Sequence, residues 1–252
     1  MNCVTKKLNN NLIKLGDLVF YANTNIKILQ TVRESVLDDA VNTEIVNQTI
    51  SLWHMVIRGL RTQIIMDLSK IFDYYVYFVR FAENRATAKS NIKKKTENES
   101  KHKKEKVTIS IPVTVVMCEQ NKHSLIHPFT KIRKEREKDG RALYDDYNTM
   151  QKKVCSLLNK AGEHLDELKK LRDKSFAHLD YTTYFRKKED LFLGMDSIKE
   201  LAKIAEEIVD IYSNAFFDHS FELYNHTDQK DVRKLFEFAR AGFQPLYMES
   251  ES

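Results

Sequence analysis

Six glycines and three prolines in 252 residues leave this chain few places to turn sharply. A sandwich or barrel of short strands needs turn-forming residues every few positions. That architecture is excluded on this count alone. The long intervening stretches are rich in Leu, Lys, Glu and Asp, residues that lose little on entering a helix or that favour its ends. Hydrophobic residues make up 42%, enough for one core. The expectation is an all-α helical bundle, a single domain over 1–252.

Apolar spacing divides the chain further. Leu12, Leu15, Val19, Ile26, Ile28, Leu29, Val32 and Val36 predict one or two helices over about 12–42. Between about 44 and 83, Leu52, Met55, Val56, Leu60, Ile64, Leu68, Ile71, Phe72, Tyr75, Val76 and Val79 recur so densely that burial on much of the circumference is expected. Residues 85–106 hold nine Lys+Arg and three Asp+Glu, with a single Ile, and read as a mobile loop. Residues 107–118, VTISIPVTVVMC, form the one β-branched run, and a short extended segment is expected there. Together 85–125 reads as an insertion within the bundle. From about Thr130 a helical pattern runs past Leu179, with Gly140 and Gly162 as candidate breaks. Asp196 is placed to N-cap the next helix, with Ile198, Leu201, Ile204, Ala205, Ile208 and Ile211 on one face. A last helix is expected from about Asp228 to Arg240.

The net charge is +5, but removing residues 85–106 leaves 32 basic against 33 acidic residues. The folded body therefore lacks an overall electrostatic footprint for nucleic acid, and any RNA contact falls to local groups or to the basic segment. Cys3, Cys118 and Cys155 are scattered and odd in number, which suits free thiols in a reducing compartment. No apolar run reaches the ~18 residues of a membrane span. No membrane is expected as a partner, and the expected location is the cytoplasm.

The stretch that carries chemistry is Asp166-Glu-Leu-Lys-Lys-Leu-Arg-Asp-Lys-Ser-Phe-Ala-His-Leu-Asp180. Leu165, Leu168, Leu171 and Leu179 give it a helical apolar stripe. Arg172 and His178 lie six residues apart, about 9 Å along a helix axis, an offset that the long arginine side chain can bridge. Lys170, Lys174 and His178 follow an i, i+4, i+8 ridge, so the two lysines are candidate phosphate-binding residues. These residue types suit RNA cleavage without a metal or cofactor. Histidine moves a proton near neutral pH, and arginine offers a planar fork of donors to a crowded phosphorane. Base and acid must stand on opposite sides of phosphorus, which two copies of His178 across a two-fold axis can satisfy.

Spacing alone says little, since roughly one R-x4–6-H match arises by chance in a chain of this composition. The wording around it says more. Arg172-Asp173-Lys174-Ser175-Phe176-Ala177-His178, with a polar residue directly after the arginine, resembles the motif of the HEPN superfamily. L-R-D-K-S-F-A-H-L-D is similar to its abortive-infection, AbiU-like branch, and Leu68-Ser-Lys-Ile-Phe-Asp73 to an upstream helix of that branch. The resemblance implies a helical bundle that forms a homodimer through the motif helices and cleaves RNA as a toxin or phage-defence effector, with an antitoxin or defence-system protein as a further partner. It implies His178 as general acid/base, Arg172 as stabiliser of the phosphorane and Asp173 as an orienting residue. The position two residues after the histidine, a tyrosine that some HEPN toxins present for modification, is Asp180.

Plainer roles compete. Arg172 can pair with a neighbouring carboxylate and His178 can sit at a helix C-terminus. His123 and His127 have the i, i+4 spacing of zinc ligands but no third ligand nearby, and no metal site is expected. The alternative function is a catalytically idle HEPN module for RNA or nucleotide binding or for oligomerisation.

Overall fold

A run of apolar residues at seven-residue steps opens the fold. Leu8, Leu15, Ala22 and Leu29 interleave with Leu12, Val19 and Ile26, and all seven are buried. That repeat keeps one seam of a long helix against its neighbours. The computed structural model describes residues 3–37, 39–76, 78–79, 109–140, 144–177, 194–217, 233–234, 236–239 and 241, and among these it is helical with no strand. The helices are α1 (Cys3–Leu37), α2 (Ala40–Gln48), α3 (Ile50–Ile71), α4 (Ile111–Gln120), α5 (Lys122–Lys138), α6 (Tyr147–Ala177) and α7 (Met195–Phe216). The Lys-rich segment 85–106, and with it the reading of that segment as mobile, lies outside the described residues.

The all-α expectation holds. α7 is the central helix. Ile198, Leu201, Ile204, Ala205, Ile208 and Ile211 are buried as expected, and so are Ala202, Val209, Tyr212, Ala215 and Phe216. Burial therefore runs round most of its circumference, against α1, α3, α5 and α6. At one end Phe129 of α5, Tyr147 of α6 and Phe216 of α7 meet edge to face with centroids 5.8–6.2 Å apart. The Tyr147 hydroxyl donates to the Cys118 carbonyl at 2.9 Å, and Gln151 links it to Tyr212. Burial pushes the Cys118 thiol up, so it stays protonated and inert.

Four expectations are corrected. From Ile111 on, the β-branched run is a helix, not an extended segment. Ser110 is its N-cap, accepting from the Val113 amide, and Pro112 falls in the first turn, where its missing N–H costs nothing. Ile111, Thr114, Val115, Val116 and Cys118 are buried, so packing overrides strand propensity. Residues 111–125 are thus part of the bundle. Second, α3 does not bury most of its circumference: Leu52, Met55 and Val56 are 57%, 62% and 39% exposed. Third, of the two candidate breaks after Thr130, Gly140, with φ 67°, does follow the end of a helix, whereas Gly162 breaks nothing and α6 runs through it. Gly162 is instead where the Tyr75 ring lies against α6, its hydroxyl occupying the place a Cβ would take. Fourth, α7 is capped by Gly194 in the left-handed region, with Asp196 in the first turn.

One half-buried acid on α7 yields a pH prediction. Burial first, and then the Glu206 carboxylate one turn back, raise Asp210 to about 6. Its Oδ1 is buried with no hydrogen-bond partner among the described residues. A folded pKa above the unfolded value of roughly 3.9 means that the contribution to stability is full below pH ~4, is lost as pH rises through about 6, and is flat above. Asp210→Asn should therefore stabilise the protein near neutral pH by about 1 kcal/mol, after discounting for the screening of a half-exposed group. Melting curves should show that gain shrinking as pH falls from about 6 towards about 4. A gain independent of pH would sink this account.

Candidate active site

The end of α6 is built by its inward stripe. Met150, Val154, Leu157, Leu158, Ala161, Leu168 and Leu171 are buried at three- and four-residue steps. Across from them α7 runs antiparallel, as the polar pairs along the seam require. Lys153 pairs with Glu207 at 2.9 Å and Lys160 with Glu200, so seven residues forward on α6 is seven residues back on α7. The next contact is a polar cluster. His164 Nδ1 lies 3.2 Å from Ser197 Oγ, and the Ser197 hydroxyl donates to Glu167. Beyond it Leu171 Cδ1 closes on Gly194.

Arg172 follows directly, turned out of that seam. Its Nε and Nη2 donate to Asp173 Oδ1 at 3.1 and 3.0 Å. The two side chains are 42% and 56% exposed, so water screens the pair, and it holds the guanidinium only loosely. Nη1 has no hydrogen-bond partner among the described residues, which leaves donors for a phosphate. Lys170 is exposed on the same helix. Lys174 is in helical backbone, but its side chain lies outside the described residues, and His178 and Asp180 do so entirely.

His164, Ser197 and Glu167 went unnoticed in the sequence because they meet across some thirty residues. The i, i+3 placement of His164 and Glu167 on the inward face of α6 is the signal that was there. Their residue types suggest a nucleophilic triad, but the order is wrong. The serine proton points to the glutamate, so the imidazole faces the serine oxygen as a donor and cannot act as its base. The cluster positions α6 against the start of α7.

Asp67, on the upstream stretch, is buried and is met from its own helix by Gln63 at 2.8 Å and Lys70 at 3.6 Å. Leu68, Ile71 and Phe72 are core residues, and the Asp73 carbonyl accepts from Ser110 Oγ at 2.8 Å. That stretch is architectural. His123 and His127 are both exposed on α5, and among the described residues no three His, Cys, Asp or Glu side chains converge on a metal-sized site. No helix among the described residues is long and apolar enough to cross a membrane.

The model of the HEPN family AbiU2 matches residues 17–235. No curated protein and no solved structure matches the chain.

Proposed function

The chain belongs to the HEPN family AbiU2, and from that premise we propose that it is a metal-independent endoribonuclease acting as a toxin or phage-defence effector of the abortive-infection kind. The observation that carries this reading is Arg172. It stands near the end of α6, partly exposed, with Nη1 unpartnered among the described residues, in an R-x5-H stretch of the family's kind. His178 of one protomer removes the 2′-hydroxyl proton, and the 2′-oxygen attacks phosphorus. The 5′-oxygen leaves with a proton from His178 of the partner subunit. Arg172 donates to the non-bridging oxygens as charge accumulates on them. Asp173 biases the guanidinium's orientation weakly, and Lys170 and Lys174 hold flanking phosphates. The site is shared across a homodimer through the motif helices.

Incubated with RNA in EDTA, the protein should leave 2′,3′-cyclic phosphate and 5′-hydroxyl ends. A substrate with 2′-deoxyribose at the scissile position should stay intact, because the nucleophile is missing. Sedimentation at micromolar concentration should give a dimer. Cleavage lost in EDTA, or a monomer that still cuts, would refute the shared metal-free site. An intact RNA pool after incubation with the wild type would leave the idle binding module in its place.

A further inference from the structure

α5 carries a second feature. At 100° per residue, His123, His127, Lys131, Lys134 and Lys138 fall within an arc of about 80°. All five are exposed. Leu125 and Phe129, on the opposite side, are buried and root the helix in the bundle. The acids of this helix, Glu135 and Glu137, flank the stripe, each about 80° from its midline. Glu137 is engaged by Arg133 at 3.1 Å. Other cations of α5 have structural tasks: Arg133 also donates to the Asp145 carbonyl, and Lys122 donates to Asn148 at 2.6 Å. Lys131, Lys134 and Lys138 have no ion-pair partner among the described residues. They lie three and four residues apart, so their repulsion works against the helix that displays them. A face kept like-charged along some 10 Å, from Lys131 to Lys138, on a body otherwise near neutral, suits a regularly spaced polyanion.

We infer that this face of α5 binds the phosphate backbone of RNA, a proposal that rests on the ribonuclease reading for its choice of occupant. The placement narrows the substrate class. Arg133, between Lys131 and Lys134 in sequence, donates to the Asp145 carbonyl just ahead of α6, and Arg172 lies 27 residues further on, about 40 Å along the helix direction. An RNA held at both points of one protomer spans on the order of ten base pairs or more. The substrate is a long or folded RNA, and the lysines act without regard to base sequence.

The test is equilibrium binding of a fluorescein-labelled hairpin RNA of about 40 nucleotides to full-length His178→Ala protein, which keeps the RNA uncut. Replacing Lys131, Lys134 and Lys138 together by Gln should lower affinity at least ~10-fold near physiological salt and flatten the slope of log K against log salt by about 2. The control replaces Lys6, Lys7 and Lys14, exposed on α1, by Gln, which removes the same charge elsewhere and should leave the slope unchanged. Circular dichroism should show both variants folded. An unchanged slope in the α5 variant, an equal loss in both variants, or binding of polyglutamate or phosphatidylserine vesicles as tight as that of RNA would each overturn the proposal. Failure of the ribonuclease reading looks different: wild-type protein then leaves RNA intact, whatever the salt slope.

Discussion

On the proposed mechanism, Arg172→Ala and His178→Ala should each lower RNA cleavage by about 10²–10⁴-fold while the protein stays folded. The histidine loss removes a positioned proton-transfer group. The arginine loss removes donors aimed at charge that appears only in the transition state. Arg172 is half-exposed and, among the described residues, paired only with its sequence neighbour, so alanine there leaves no described buried partner unsatisfied. Its melting temperature should therefore match the wild type. Asp173→Asn should slow the reaction less, since a neutral amide still offers an oxygen to the guanidinium. Gel-based cleavage rates with melting curves on the same preparations decide the matter. Wild-type rates in both alanine variants would remove Arg172 and His178 from the chemistry.

Gly194→Ala should be among the most destabilising single-methyl additions in this protein. The residue sits at φ 73°, where an L side chain costs roughly 1–2 kcal/mol. The added Cβ would also lie 2.8 Å from Leu171 Cδ1 and 3.0 Å from Glu167 Oε1. Overpacking of that kind costs roughly 1–3 kcal/mol. The sum, about 2–5 kcal/mol, is a large share of a typical domain's stability. Gly194→Asn tolerates the dihedral but keeps the crowding, so it should fall between alanine and wild type. Combining Gly194→Ala with Leu171→Ala should cost less than the two single changes added, because the second opens room for the first. Denaturant titrations of the four proteins measure this. Additive costs, or a Gly194→Ala protein as stable as wild type, would show that the close approach does not constrain the fold.

The helices were legible where one apolar stripe carried the signal. Ile198 to Ile211 read as a buried face because their spacing admits no other regular structure. Residues 107–118 misled because β-branched side chains favour strands on average, whereas Ser110, Pro112 and the burial of Val115 and Cys118 act locally and prevail. Asp196 looked like a cap by residue type, but the turn needed a left-handed residue without a Cβ, and Gly194 met that need two positions earlier. Leu52, Met55 and Val56 look like core residues in composition, and only packing shows that nothing described covers them. At the site, Arg172 and Asp173 are neighbours in sequence, so their pairing is a local matter. His164, Ser197 and Glu167 depend on the register of two helices, which periodicity does not set. The lysines of α5 are plain as charges in the sequence, but only the bounds of the helix and the burial of Leu125 and Phe129 set them together on its outer face.

The register of α6 on α7 has a consequence for how reproducibly Arg172 is placed. Lys153 and Lys160 on one helix and Glu207 and Glu200 on the other repeat at the same seven-residue interval. A slide of one such interval would bring Lys160 to Glu207, so these surface pairs tolerate more than one alignment, and solvent screening makes them weak arbiters in any case. The contacts nearer the motif have no second copy. Ser197 has one histidine and one glutamate to meet, and Leu171 finds one glycine whose missing side chain admits it. Misalignment by a heptad would carry Arg172 about 10 Å along the axis, and it is the unrepeated contacts beside the motif that make that slide costly. Ambiguity is thus removed at the end of the helix where an error in position would matter to a reacting phosphate.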